Sequence, residues 1–153
     1  MKLKIIIMVV FVCLMAISCS SKGSSLNGEW VNVESERYSF SFKNGQYEET
    51  TGWTPRQRMG KYETKGGKIT LTKTHIHGGD IGLEPKWYSE KDFKTGVKNK
   101  LVITDHFGQK IELNNEIVNA LFQKEIYDYV ASVNTITFSL IDQQGSVTFR
   151  KKN

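Results

Sequence analysis

Two histidines and a nearby aspartate form the most metal-like spacing in the sequence. His75 and His77 are two residues apart, which would place both imidazoles on one face of a strand, and Asp80 lies close behind them. Imidazole and carboxylate groups are common metal ligands, and His106 could supply a further one. Two histidines leaving the end of a strand explain the same pattern, and no complete ligand set is visible. The sequence therefore predicts no metal or other cofactor, with a site at His75, His77 and Asp80 as the lesser alternative.

Three charged residues are stronger candidates for binding a ligand. Glu49, Arg58 and Lys73 stand where predicted strands change from apolar to polar, as expected at the mouth of a ligand cavity. Catalysis is not indicated, because the sequence has no nucleophile elbow, no glycine-rich phosphate loop and no Cys–His pair. Glu49 could face His75, but acid–base catalysis depends on a geometry that spacing does not supply. We expect a binding protein without catalytic residues.

Alternating side chains predict the strands that must carry these groups. At 38–42 aromatic residues alternate with serines, and the Asn44-Gly45 pair just beyond them is a typical hairpin turn. The other strands are predicted at 29–33, 47–51, 58–64, 69–77, 100–106, 110–113, 127–133, 135–141 and 146–150. Many short strands at close spacing indicate an all-β protein, either a sandwich or a closed barrel.

Two segments depart from the strand pattern. One short helix is predicted near 115–126, because Val118 and Phe122 are four residues apart and an asparagine at 114 or 115 can cap the first turn. The segment 78–96 shows no clear period and carries Trp87 and Tyr88. An irregular stretch of that length in a compact domain is usually functional or mobile. These two aromatic residues could be exposed anchors for a protein partner, or they could be buried where the loop folds over the domain.

The first 18 residues predict a secretory signal peptide. Lys2 and Lys4 precede an unbroken apolar run at 5–17, and small Ser18 comes directly after it. An apolar run of this length would form about 20 Å of helix, too short for the ~30 Å apolar core of a bilayer. We therefore expect the segment to be removed rather than to span a membrane.

The residues Met-Ala-Ile-Ser-Cys at 15–19 resemble the lipobox of bacterial lipoproteins. The resemblance implies cleavage before Cys19, a diacylglycerol on its thiol, and a fatty acid such as palmitate on its new amine. Residues 19–26 would then be the lipidated cysteine and a flexible tether, anchored stably by several acyl chains. Ordinary cleavage beside a chance cysteine is the alternative. We expect a lipid-anchored protein of the bacterial cell envelope, in the outer rather than the inner membrane because Ser20, not Asp, comes after the cysteine.

Length and composition limit the part of the chain beyond the leader to a single domain. The 153 residues, 39% of them hydrophobic, suffice for one folded domain at 27–153 and not for two. The 21 Lys+Arg against 16 Asp+Glu give a net charge of +5, which falls to +3 without Lys2 and Lys4. An excess this small does not indicate nucleic-acid binding. Because Cys13 lies in the leader and Cys19 is the anchor, we expect a domain without disulfides, and we favour a monomer.

Gly28-Glu29-Trp30 opens the first predicted strand and is similar to the Gly-x-Trp signature of lipocalins and related calycin barrels. The resemblance to bacterial lipocalin-like lipoproteins covers the whole mature chain. It implies a single antiparallel up-and-down β-barrel of about eight strands, with Trp30 at its closed end. It also implies that a basic residue of the last strand packs over the tryptophan ring. Arg150 is at the matching position, so a cation–π pair between Arg150 and Trp30 is expected.

In such a barrel the alternation of side chains predicts which residues face inward. The aromatic residues mark the inward face, and the polar inward residues then converge at the mouth opposite Trp30. The predicted ligand-binding residues are Tyr38, Phe40, Tyr47, Glu49, Arg58, Tyr62, Leu71, Lys73 and His75. An amphipathic ligand would place its tail among the aromatic residues and Leu71, and its head near Arg58 and Lys73. Aromatic side chains that simply fill the lumen are the alternative.

Three functions are compatible with these features. The first is a membrane-anchored protein that binds a small hydrophobic or amphipathic molecule in its barrel. The second is a protein-interaction module, an inhibitor or adhesin whose barrel is filled and whose segment 78–96 contacts the partner. The third is a structural lipoprotein without a specific ligand. We favour the first, since charged residues converge beside apolar ones.

Overall fold

The computed structural model describes residues 26–52, 55–105, 107–140 and 145–153. The predicted signal peptide, Cys19, most of the predicted tether and His106 lie outside these residues. Within them the strands are β1 (Gly28–Asn32), β2 (Ser39–Lys43), β3 (Gln46–Thr50), β4 (Gln57–Lys65), β5 (Lys68–His77), β6 (Trp87–Ser89), β7 (Val102–Thr104), β8 (Lys110–Glu112), β9 (Glu125–Ala131), β10 (Thr135–Leu140) and β11 (Ser146–Lys151). The helices are α1 (Glu90–Lys98) and α2 (Asn115–Leu121), with one 3-10 turn at Gly79–Ile81.

Eight of the strands close into an antiparallel barrel. Its order is β1, β2, β3, β4, β5, β9, β10 and β11, and β11 pairs with β1 to complete the circle. Every pairing around the circle is antiparallel, so the strands run alternately up and down. The predicted all-β barrel of about eight strands with a short helix is confirmed, and the architecture is consistent with a lipocalin-like fold.

The alternation of strands gives the barrel two distinct ends. At the first, which we call the tryptophan end, β1 begins, β11 ends, and the turns at 43–46, 65–68 and 131–135 meet. At the opposite end, which we call the polar end, the chain makes its longer connections, including the residues 78–124 between β5 and β9. The two ends differ in the side chains they bury, apolar at the tryptophan end and charged at the polar end.

The contact expected at the tryptophan end is made by a different residue. Trp30 is buried, and Lys151 rather than Arg150 lies over its ring, with Nζ 5.6 Å from the ring centroid. Arg150 is exposed and forms an ion pair of 2.8 Å with Glu36. The prediction of Arg150 was wrong because side chains alternate along β11. Phe149 is buried in the barrel, so its neighbour points outward and Lys151 points inward.

The segment 78–96, predicted to be irregular, contains ordered elements. Residues 78–124 form a unit of β6, α1, the β7–β8 hairpin and α2 beside the barrel, and β6 pairs with the end of β5. A capping box begins α1: Ser89 Oγ accepts from the Asp92 backbone N–H at 3.3 Å, and Asp92 Oδ2 accepts from the Ser89 backbone N–H at 2.7 Å. The sequence carried this Ser-x-x-Asp signal, and the prediction of an irregular loop missed it.

The predicted helix is confirmed as α2, in a shorter form. Asn114 caps it, with Oδ1 accepting from the Ile117 backbone N–H at 2.9 Å. The helix ends at Leu121, and β9 already begins at Glu125. The predicted boundary at 126 was therefore too late.

Buried side chains form two clusters. The barrel cluster fills the interior with residues of the barrel strands and the segment before β1, namely Leu26, Trp30, Phe40, Phe42, Tyr47, Ile69, Leu71, Ile136, Phe138 and Phe149. The second cluster joins β5 to the inserted unit through Ile76, Ile81, Phe93, Ile103, Leu113, Val118 and Phe122. The second cluster holds α2 against the barrel, so this helix forms a wall beside the polar end.

Strand β5 changes its inward face after Lys73. The pairing of β4 with β5 shifts at Met59 and Gly60, so that Met59 lies opposite His75 while Gly60 lies opposite Lys73. A Cβ on Gly60 would collide with the carbonyl oxygen of Thr72, which explains the glycine at this shift. Beyond the shift Ile76, not His75, is fully buried, and it belongs to the second cluster. The prediction that His75 and His77 face the interior of the barrel is therefore wrong.

Candidate functional site

Four charged side chains from four strands meet inside the polar end. Arg58 of β4 places Nε 3.8 Å from Oε2 of Glu49 and Nη1 3.5 Å from Oε1 of Glu125. Lys73 of β5 lies with Nζ 2.6 Å from the same Glu125 oxygen. The structure thus brings together Glu49, Arg58 and Lys73, the three charged residues chosen from the sequence. It adds Glu125 of β9, which pairs with β5 across more than 50 residues of chain.

Two tyrosines orient the carboxylates of this cluster. The Tyr38 hydroxyl donates to Glu49 Oε1 at 3.3 Å, and the Tyr127 hydroxyl donates to Glu125 Oε2 at 3.0 Å. Burial raises the pKa of both phenols, and the carboxylates beside them raise it further. Both hydroxyls therefore keep their protons and act as hydrogen-bond donors at neutral pH.

Glu49 is the most deeply buried member of the cluster. Only 3% of Glu49 is exposed to solvent. This burial raises the pKa of its carboxyl, and the Arg58 cation opposes that shift. Oε2 of Glu49 has no hydrogen-bond partner among the described residues, and the same holds for the buried hydroxyl of Tyr47. Buried polar groups normally have a partner, so these two atoms mark a place where a water or a polar ligand atom would be stabilised.

A cleft opens on the outer side of the cluster. Its volume is about 330 Å³, and the described residues that line it are Pro55, Arg58, Lys73, Ile117, Ala120 and Leu121. Two cations form one wall, and one face of α2 forms the other, apolar wall. No carboxylate is among the lining residues that the structure describes. An apolar wall facing a few fixed polar groups is the usual form of a small-molecule site.

The residues predicted to hold the ligand tail lie in the barrel cluster instead. Phe40, Tyr47 and Leu71 are each at most 3% exposed and pack against one another. Tyr62 lies toward the tryptophan end, where its ring is 4.9 Å from that of Phe42 and its hydroxyl contacts Asn27. The apolar surface beside Arg58 and Lys73 is therefore that of α2. The helical spacing of α2 predicted the helix itself but not its place at the mouth of the barrel.

Glu125 and Tyr127 were missed although a signal for both was present. Tyr127 opens a predicted strand with an aromatic residue, and extending its alternation backward by two residues gives Glu125. Predicting that this strand lies beside β5 required the pairing of distant segments, which alternation does not reveal.

The histidines do not join the charged cluster. His75 has Nδ1 3.1 Å from Thr74 Oγ1. The His77 ring packs edge-on against Trp87 with centroids 5.3 Å apart. Within the described ranges no group of three or more His, Cys, Asp or Glu side chains is placed to bind a metal, so the alternative site at His75, His77 and Asp80 is not formed.

The aromatic residues proposed as protein-binding anchors are half-buried. Tyr88 packs against the second cluster, with its ring 6.0 Å from that of Phe93. Trp87 rests against His77. These contacts fit the alternative in which the segment buries its own aromatic residues. Separately, none of the helices in the described part of the chain is long and apolar enough to cross a membrane.

Comparison with known proteins gives one structural likeness. No protein-family model matches the chain, and no curated protein is similar to it. Among solved structures, the crystal structure of an uncharacterized protein from Bacteroides eggerthii DSM 20697 is similar to it at 11% sequence identity. The match covers 82% of this chain and 98% of that one, with a TM-score of 0.44. A likeness this weak carries no argument about the site.

Proposed function

We propose that this protein is a lipid-anchored, lipocalin-like lipoprotein of the bacterial cell envelope that binds a small amphipathic ligand at the polar end of its barrel. The observation that carries the proposal is the cleft between α2 and the cations Arg58 and Lys73. Its volume of about 330 Å³ is near the lower limit of ordinary ligand pockets, so the ligand is small. Binding, rather than catalysis, is the proposed activity.

The chemistry of the two walls defines the class of ligand. The apolar part of the ligand would lie on Ile117, Ala120 and Leu121. Burial of these side chains against it would favour binding. The head group would accept hydrogen bonds from Arg58 and Lys73, which favours a carboxylate or another anionic group. Glu125 holds both cations in place before the ligand arrives, so little side-chain ordering remains to oppose binding.

The proposed location rests on the sequence. The lipobox-like residues at 15–19 support lipidation of Cys19, and Ser20 after it favours the outer membrane. Substituting Cys19→Ser should abolish incorporation of labelled palmitate and release the protein from membranes. Incorporation that persisted in this variant would contradict the anchor without bearing on the ligand site.

Ligand binding can be tested with the chain from residue 20 to 153, which contains all the barrel strands and both buried clusters. Native mass spectrometry after purification without detergent should show a bound small molecule that denaturation releases. Titration with laurate, followed by the same method, supplies a defined probe with an apolar tail and a carboxylate head.

A cleft-filling variant gives the matched comparison. Ala120→Trp places a large ring in the cleft and should weaken laurate binding by about tenfold or more, the equivalent of about 1.4 kcal/mol. Asn119→Trp makes the same addition at an exposed neighbouring position of α2 that does not line the cleft. Equal laurate binding by the two variants would contradict the proposed site.

A further inference from the structure

We infer that the tryptophan end of the barrel is a docking surface for a layer of anionic lipid head groups, so that the polar end with its cleft faces away from the membrane. The inference rests on the proposed lipid anchor at Cys19. It goes beyond that anchor, because it assigns a face of the folded domain to the membrane and a direction to the ligand site.

The chain joins the barrel at the tryptophan end and is held there. The Trp30 indole Nε1 donates to the Leu26 carbonyl oxygen at 2.7 Å, and Leu26 itself is buried. The Asn27 side-chain oxygen accepts from the Asn44 backbone N–H at 3.3 Å and from the Tyr62 hydroxyl at 3.4 Å. These contacts place the start of the domain directly beside the turn at 43–46.

The predicted tether is too short to let the domain turn over freely. Seven residue-to-residue steps separate Cys19 from Leu26. Even a fully extended chain spans at most about 3.6 Å per step, so the tether reaches about 25 Å. With Cys19 lipidated, the tryptophan end must stay within that distance of the membrane surface, and the polar end is the far end of the domain.

The charge of the tryptophan end complements an anionic surface. Lys43, Lys61 and Lys65 are exposed there and form no ion pair with any described residue. The turns at 43–46, 65–68 and 131–135 contain no Asp or Glu. The carboxylates of Glu29 and Asp128 near this end are already paired with other lysines. Exposed Glu63 lies between Lys61 and Lys65 on β4, so the lysines of this end still outnumber its unpaired carboxylates. Lysines within about 8 Å of an anionic surface are attracted to it at physiological salt.

The connections of the polar end carry charges of both signs. The connection from β1 to β2 carries Glu34, Glu36 and Arg37, and the connection after β5 carries Asp80, Glu84 and Lys86. Glu36 is paired with Arg150, and Glu84 is paired with Lys86. The proposed orientation is therefore favoured by attraction at the tryptophan end and not by repulsion at the polar end.

Two exposed valines lie at the same end of the barrel as these lysines. Val133, in the turn at 131–135, is 78% exposed, and Val130 beside it on β9 is 76% exposed. Apolar side chains next to basic ones favour shallow insertion among lipid head groups. This combination makes a lipid layer a better partner than a purely polar anion.

Binding to vesicles tests the inference without the lipid anchor. The chain from residue 20 to 153 is mixed with phosphatidylcholine vesicles with and without phosphatidylglycerol, and the bound fraction is measured by sedimentation at increasing salt. We expect binding only to the anionic vesicles and its loss as salt rises. Each lysine at the surface contributes about fivefold, so K43Q/K61Q/K65Q should weaken binding on the order of a hundredfold.

A matched variant separates this face from overall charge. K91Q/K98Q/K110Q makes the same change in net charge on exposed lysines of the inserted unit and should bind as the unchanged chain does. Equal weakening by both triple variants, equal binding to neutral vesicles, or no binding at all would each overturn the docking surface. Palmitate labelling at Cys19 is scored separately, so failure of the anchor and failure of the docking surface can be told apart.

Discussion

The two ends of one barrel each place a lysine beside buried side chains, and the two lysines have different roles. At the tryptophan end Lys151 covers the Trp30 ring at 5.6 Å, and the interior beneath it is apolar. At the polar end Lys73 is inside the barrel wall, 2.6 Å from Glu125 and 6% exposed. The first lysine could be lost with little harm, whereas loss of the second would leave a carboxylate inside the barrel without its closest partner.

The difference separates the contacts that stabilise the barrel from those of the proposed ligand site. Burial of aromatic surface closes the tryptophan end. This burial contributes strongly to the stability of the fold, and it does not depend on exact geometry. The polar end buries charges whose desolvation offsets much of their mutual attraction, so it contributes little net stability. It retains two buried polar atoms without hydrogen-bond partners among the described residues. Such an arrangement is more useful for recognising a ligand than for holding the fold together.

The largest effect is expected from breaking the tryptophan end. Trp30→Ala removes a fully buried indole and its hydrogen bond to Leu26, and it should lower the free energy of unfolding by about 3–5 kcal/mol. Urea unfolding followed by tyrosine fluorescence or circular dichroism measures the loss. A change below about 1 kcal/mol would mean that this end is not the stabilising one.

Breaking the ion pair at the polar end should lower the free energy of unfolding by less, and a second substitution should restore most of the loss. Glu125→Ala leaves the Lys73 cation buried, and we expect a loss of about 2–3 kcal/mol because Glu125 itself is partly exposed. In Lys73→Met/Glu125→Leu both members of the pair are gone, and most of the stability measured by urea unfolding should return.

The exposed ion pair between the same two strands is the control for that cycle. Lys68 and Asp128 lie 3.0 Å apart on β5 and β9, with both side chains about half exposed. Asp128→Ala should change the free energy of unfolding by about 1 kcal/mol at most. A double variant at 73 and 125 that is no more stable than Glu125→Ala would contradict the account of the polar end.

A smaller, pH-dependent effect is expected at Glu49. Burial raises the pKa of its carboxyl, so the folded protein retains a proton that the unfolded chain has already released. The stabilisation is complete below the ordinary pKa of a glutamate and is lost as pH rises toward the raised value. Glu49→Gln should remove this decline, whereas Glu48→Gln, on the outer face of β3, should leave it in place. Urea unfolding at several pH values above about 4 checks the slope.

The smallest effect distinguishes the neighbours at the end of β11. Lys151→Met should lower the free energy of unfolding by about 1 kcal/mol at most, through loss of the cation–π contact with Trp30. Arg150→Met removes only the exposed ion pair with Glu36, and it should change the free energy of unfolding by about half as much or less. Thermal unfolding of the two variants side by side measures the difference. The reverse order would restore Arg150 to the role that the sequence predicted for it.

Much of the fold could be predicted because its signals are local. The Asn44-Gly45 turn lies between paired strands as expected, with both residues at positive φ. The cap at Asn114 also lies where its residue type predicts it. These features can be predicted because a turn conformation or a capping hydrogen bond depends only on residues that are close together in the chain.

The errors also have physical causes. The prediction of Arg150 rests on its residue type and its place near the end of the chain, although the alternation around buried Phe149 favours Lys151. The prediction for His75 continues the alternation on β5 across a shift in pairing, and the partner strand imposes that shift. An insertion of one residue into a pairing changes the inward face, and nothing within β5 alone reveals where it occurs.

By itself the sequence determined which segments are strands, where Trp30 lies, and that Glu49, Arg58 and Lys73 point toward one end of a barrel. Tertiary structure alone decided that Glu125 completes this cluster and that α2 faces it across a cleft. The physical reason is the range of the interactions. Alternation and caps are properties of neighbouring residues, whereas the pairing of β5 with β9 and the packing of α2 join segments that lie far apart along the chain.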